Sequence, residues 1–291
     1  MAVYKRGYER YRGRLEGRWR RLLVLPRYTF RRMFRQRHAI VVLVASLAYP
    51  LWCAVYIYLA GNADLLDRLG SFRQYLAIDG AFFLRFVSVQ KVFAVFIVAL
   101  TGPGLVSPDL TDNALPLYFS RPLSRADYVV GRLAAPVALL SLATWVPGVL
   151  LFLLQCGSAG GGWFAANWRV GVGMVAGFWL WLALCGMVAL AGSAYVKLRP
   201  VASGLVLGFF FVLGGVAGMV NLVFRGTAGS LLNPSWAVWR LSAAVMGTDG
   251  KGGAAIASAP GAAAAAVALA VLLLLLVLVL ERKLRPVEVV S

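Results

Sequence analysis

Six long apolar runs, separated by short polar segments, dominate the pattern along this chain. They cover residues 39–60, 81–104, 133–155, 170–195, 201–224 and 262–280. A bilayer's hydrocarbon core needs about 20 consecutive apolar residues in helical form, and each run supplies roughly that length. The pattern predicts an all-α polytopic membrane domain of six spans over 39–280, with a short tail at 281–291. Residues 1–38 read differently. After Pro26, Phe30, Met33 and Phe34 fall on one helical face, and Arg27, Arg31, Arg32 and Arg35 occupy the rest. That spacing predicts an amphipathic helix over 27–38, lying in the headgroup plane with its arginine stems snorkelling. Residues 1–14 stay open between helix and disordered basic tail.

The fourth run holds Gly171, Gly173, Gly177 and Gly186; the fifth holds Gly204, Gly208, Gly214, Gly215 and Gly218. Small residues let helix backbones approach closely in lipid, so both spans are expected to pack against neighbours. The sixth run, nearly all Ala, Val and Leu, is expected to face lipid. Between runs five and six, Asn233-Pro234-Ser235 followed by Trp236 and Trp239 predicts a short helix at the outer headgroups. The glycine-rich residues 247–253 then read as a flexible connection.

Composition agrees with the spans and excludes a soluble domain. Hydrophobic residues make up 61% and charged residues 14%, against about 45–50% and about 25% for soluble proteins. The net charge is +18, and thirteen of the 29 Lys and Arg residues precede Ala39. A strongly basic chain can bind nucleic acid, but a block directly ahead of a first span points to anionic membrane lipid. With the N-terminus inside, the inner segments carry 21 basic residues and the outer loops six. The expected placement is the cell membrane, with both termini cytoplasmic.

Little catalytic chemistry is available. No GxxxxGK[ST] run is present, nor HExxH or a GxSxG context. His38 is the lone histidine, and Cys53, Cys156 and Cys185 are scattered, so no metal, cofactor or catalytic residue is expected. Asp64, Asp67 and Asp79 fall in the first outer loop and read as solvated acids rather than an ion site. Two cations interrupt the second run. Lys91 lies about ten residues into it and costs on the order of 2.5–3.5 kcal/mol at a bilayer centre. It either walls a translocation path that draws an anionic group, or reaches the outer interface because the span begins later. Arg85, nearer the outer end, can snorkel.

Residues 101–132 carry the most specific signal. Gly102-Pro103-Gly104 ends the second run. Ser107-Pro108-Asp109 has the order of a helix start, with Ser as cap, Pro at the first position and an acid in the first turn. Pro116 limits that helix to about two turns. Ser124 with Asp127 forms a capping-box variant that launches the third span. The run LVSPDLTDNALPLYFSRPLSRADYVVGR resembles the inner loop of ABC-2 type permeases, in the branch linked to maturation of multicopper enzymes and nitrous-oxide reductase. The Arg-rich stretch before the first run and the tail LERKLRPVEVV are similar to that branch too. The resemblance implies a six-span permease subunit paired with a second permease copy and served by separate ATP-binding subunits. It implies that residues 27–38 form the elbow helix, the stretch around 233–245 the outer re-entrant elements, and the 102–132 loop a coupling helix. Asp109, Leu115, Tyr118, Arg121 and Arg125 would then contact the ATPase, and Lys91 and Arg85 would border the path. The rival is a scaffold subunit that anchors a larger complex without transport.

Overall fold

The computed structural model describes residues 26–31, 33, 34, 36–62, 78–107, 109, 112, 125–196, 198–248 and 259–283. Among them the regular elements are all helical. Eight α-helices follow in order: α1 Arg37–Gly61, α2 Gly80–Thr101, α3 Arg125–Ala143, α4 Trp145–Ala159, α5 Gly161–Tyr195, α6 Arg199–Val223, α7 Pro234–Met246 and α8 Ala262–Lys283. They provide six helical stretches long and apolar enough to cross a membrane, α3 and α4 together making the third. Several helices outrun the apolar runs; α5 starts nine residues before Val170. Residues 37 and 38, expected in the amphipathic helix, belong instead to α1. A separate helical piece covers 26–31.

The bundle has two ends. Arg37, Thr101, Arg125, Tyr195, Arg199 and Lys283 sit at helix termini on one, the basic end. Gly61, Gly80, Val223 and Ala262 sit on the other. α5 is the central helix: 67% of its apolar window is buried, against 17% for α6 and for α8.

Prolines bend the spans at readable places. Pro147 has no N–H for the carbonyl of Ala143, and its ring crowds that carbonyl, so α3 and α4 break at Thr144. Pro50 likewise leaves the Ser46 carbonyl without its helical donor. Gln90 of α2 fills that vacancy: its Nε2 donates to Ser46 O at 2.9 Å in a fully buried setting. A buried glutamine in a span thus has a structural job. Gln90→Leu should cost about 1–3 kcal/mol, because it strands a buried carbonyl. Pro50→Ala restores a backbone N–H, so in that background the same substitution should cost far less. Thermal unfolding of the four proteins in detergent tests this. An equal cost in both backgrounds would sink the assignment.

Glycines of α5 carry the tightest packing. A methyl on Gly177 would overlap the Ser242 hydroxyl of α7, and one on Gly173 would press on Met246. Gly186 admits Leu133 of α3 in the same way. The fifth-run glycines depart from expectation. Gly204, Gly208, Gly215 and Gly218 of α6 have open space where a Cβ would stand, and Gly214 alone approaches a neighbour, Asn233. α6 is an edge helix, so its glycine face meets nothing within the described chain.

The segment after α6 also departs from the expected flat helix. Gly229 packs back on Ala217 and Asn221, and Asn233 reaches the level of Gly214. The chain therefore turns at the α6 end and runs back alongside it. α7 then reverses: Ser235 meets Lys91, Ser242 meets Gly177, and Thr248 meets Gly80. Gly80 to Lys91 is eleven residues, about 16 Å of helix. The turn at Asn233 thus lies deep in the bundle, and residues 224–248 form a re-entrant hairpin. Small residues permit it. Ser242 and Met246 pack directly on Gly173 and Gly177, and Ala237 and Ala243 of α7 are buried as well. Asn233 caps α7 by accepting from the amides of Ser235 and Trp236. Gly247, at φ 70°, closes it in the left-handed conformation that glycine tolerates.

Candidate functional site

Two constellations contain Asp109 and Lys91, one at the basic end and one deeper in the bundle. The first is at the basic end. The Gly102–Gly104 3-10 turn follows α2 directly. Ser193, near the end of α5, clamps the chain on either side of Leu105. Its hydroxyl donates to Pro103 O at 3.2 Å and accepts from the amides of Val106 and Ser107 at 2.9 and 3.0 Å. Residue 107 is already helical, so the short helix starts at or before it.

Asp109 lies just beyond, buried, in an ion pair with Arg132 of α3. Tyr128, one turn before Arg132, donates its hydroxyl to the same carboxylate oxygen at 2.6 Å. Arg132 also donates to the Thr29 hydroxyl at 3.1 Å, and its guanidinium stands 5.6 Å from the Tyr128 ring centre. Thr29 belongs to the helical piece 26–31, which turns Thr29 and Met33 inward and leaves Arg27, Tyr28 and Arg31 exposed. Three segments distant in sequence therefore meet at one ion pair: the start of the loop and the foot of α3 directly, and the helix ahead of α1 through Arg132. Buried charge is tolerated when paired and hydrogen-bonded, and this one is both.

Leu115, Tyr118 and Arg121 lie outside the described residues, as do Pro116 and Ser124. Arg125 opens α3, and its side chain is outside the described set. Sequence reasoning picked Asp109 for its place in a helix start and missed its partners. Arg132 had entered only as a loop charge. The available signal was the Tyr128–Arg132 spacing of four, which puts both side chains on one helix face.

The second constellation surrounds Lys91. Its span does not begin late: α2 starts at Gly80, capped by Asp79, whose carboxylate accepts from the amides of Ala81 and Phe82. Lys91 is 2% exposed. Its ammonium donates to Ser235 O at 2.7 Å and lies 5.3 Å from the Trp181 ring centre. Trp181 in turn donates its indole N–H to Lys91 O at 3.1 Å. Lys91 thus points into the bundle, between α2, α5 and the turn of the hairpin. Beside it opens a cleft of about 370 Å³, lined by Ser88, Lys91, Asn233, Ser235, Trp236 and Trp239. Ala259, just ahead of α8, borders it as well.

Arg85 is not part of that cleft. Six residues on a helix turn it well away from Lys91, and it is exposed. It borders a smaller groove of about 170 Å³ between α1 and α2, with Tyr49, Trp52, Tyr56 and Asp79. The two cations expected to share a path therefore face different surroundings. Among the described residues no cluster of His, Cys, Asp or Glu is arranged to hold a metal. Cys53, Cys156 and Cys185 are free thiols. Asp64 and Asp67 lie outside the described residues. No protein-family model matches the chain, and no curated protein matches it.

Proposed function

We propose that this chain is the transmembrane permease subunit of an ABC-2 type transporter, driven by ATP bound and hydrolysed on a separate subunit. The observation that carries the reading is the carboxylate of Asp109, held at once by α3 and, through Arg132, by the helical piece 26–31. A loop that receives force from a partner must be stiff where it joins the spans, or it absorbs the motion. The Asp109 network and the Ser193 clamp supply that stiffness on both sides of the loop's start. In this reading the basic end is cytoplasmic in the cell membrane and meets anionic lipid. The piece 26–31 is the interfacial elbow, and the segment beginning near Ser107 is the coupling helix. A second permease copy has a surface to use: the α6 face of Gly204, Gly208, Gly215 and Gly218, small residues that allow close helix approach.

The test is purification of the full chain from its native membrane in mild detergent. An ATP-hydrolysing subunit should accompany it in equal amount, and ATPase activity should survive reconstitution. Stoichiometric attachment to a complex without any ATPase would overturn the permease reading in favour of a scaffold.

A further inference from the structure

Among the described residues no acidic side chain pairs with Lys91. None of the eleven acidic residues falls within the six apolar runs. The acids nearest to it in sequence, Asp79 and Asp109, are committed elsewhere: one caps α2, and the other pairs with Arg132. An ammonium has three donors. One is used on Ser235 O, and the Trp181 face offers a weak further attraction. The α7 helix starts at that same point with its positive end toward the ammonium, adding to the field instead of offsetting it. Asn233 already takes the first amides of α7, so an incoming group would meet the Lys91 ammonium and not bare backbone N–H. A buried cation in a span normally finds an anionic partner or a wet cavity.

The cleft beside Lys91 is built for one kind of visitor. Its lining includes the polar side chains of Ser88, Lys91, Asn233 and Ser235. Its wall is aromatic, with Trp236 and Trp239 partly exposed. At about 370 Å³ it lies near the small end of ligand pockets, which hold roughly 300–1,000 Å³. We propose that this cleft binds an amphipathic anion, with a carboxylate or phosphate head at Lys91 and an apolar body against Trp236 and Trp239. Such a molecule is either an anionic lipid of the membrane or a soluble acid with an apolar tail. As a substrate class the proposal rests on the permease reading. As a binding site it does not, because binding needs neither ATP nor partner.

The test uses the full chain in nanodiscs of phosphatidylcholine. The probe is 11-(dansylamino)undecanoic acid, followed by energy transfer from tryptophan at near-neutral pH, with its methyl ester as the uncharged control. The acid should bind saturably and at least about tenfold more tightly than the ester, as expected for a desolvated charge-assisted bond. Lys91→Arg should keep that preference and Lys91→Met should abolish it. Ser88→Asp, which supplies an internal counter-ion, should abolish it too and serves if Lys91→Met does not assemble. Trp236→Ala should weaken acid and ester alike. Adding phosphatidylglycerol to the discs identifies the source: displacement of the acid assigns the site to lipid, and retention assigns it to a soluble amphiphile. Equal binding of acid and ester by the wild type, or a preference that survives Ser88→Asp and Lys91→Met, would overturn the proposal.

Discussion

Arg132→Met should destabilise the protein by about 3–5 kcal/mol, because it leaves the buried Asp109 carboxylate without its cation. The remaining partner, the Tyr128 hydroxyl at 2.6 Å, is neutral and cannot compensate a full charge. The loss should be larger than that of Tyr128→Phe, which removes one hydrogen bond and should cost about 1.5–3 kcal/mol as a bond to a charged group. Replacing both members of the pair, Asp109→Leu with Arg132→Met, should recover most of the stability, since a buried pair exchanged for apolar side chains is often neutral. The double variant separates structure from function. It removes the link from loop to α3 and from α3 to Thr29 while the spans still fold. If the link transmits force, the double variant should assemble with its ATPase and hydrolyse ATP, yet transport poorly. Thermal unfolding of the four proteins, with transport measured on the recovered double variant, checks both claims. A single Arg132→Met variant as stable as wild type would refute the buried pair; full transport by the double variant would refute its role in coupling.

The spans were legible because a bilayer-length apolar window is a one-dimensional signal. A buried polar contact is not. Gln90 could be counted as an oddity in the second run, but its use depends on Pro50, forty residues earlier and on another helix. Lys91 could be flagged, but whether it snorkels or points inward was decided by Ser235, 144 residues away. The flat outer helix expected from Asn233-Pro234-Ser235 with Trp236 and Trp239 failed for a related reason. Trp236 and Trp239 carry the composition of an interfacial anchor, whereas the placement follows from Gly173 and Gly177 of α5, which make room for Ser242 and Met246. The same glycine signal misled in α6. Its glycines have the spacing of a packing face, and within one chain nothing packs there. A sequence states that a face is suited to close approach without saying whether the neighbour is in the same molecule. At the basic end the residues that hold Asp109 were not legible, because they lie far from it in sequence.

Leu115→Ala with Tyr118→Ala should strip the ATPase from the complex. Leu115, Tyr118 and Phe119 fall close together in the sequence between Asp112 and Arg125, and Arg125 opens α3 at the basic end. Apolar and aromatic side chains there are a liability unless lipid or a partner covers them. On the proposed permease reading, the partner that covers them is an ATP-binding subunit. Two buried anchors at such a contact carry about 2–4 kcal/mol. That corresponds to a loss of roughly thirty-fold to several-hundred-fold in affinity. The effect should be confined to assembly: these residues are not in the spans, so the double mutant should insert and unfold like wild type. Arg121→Ala should act differently. A guanidinium bonded to a partner's acid orients the contact more than it supplies area, so the complex should persist while ATP hydrolysis loses its link to transport. Co-purification of the native partner with wild type, the double mutant and Arg121→Ala distinguishes these outcomes. Wild-type partner affinity in the double mutant, together with full transport, would remove this loop from the interface and leave the Asp109 network as a stability device alone.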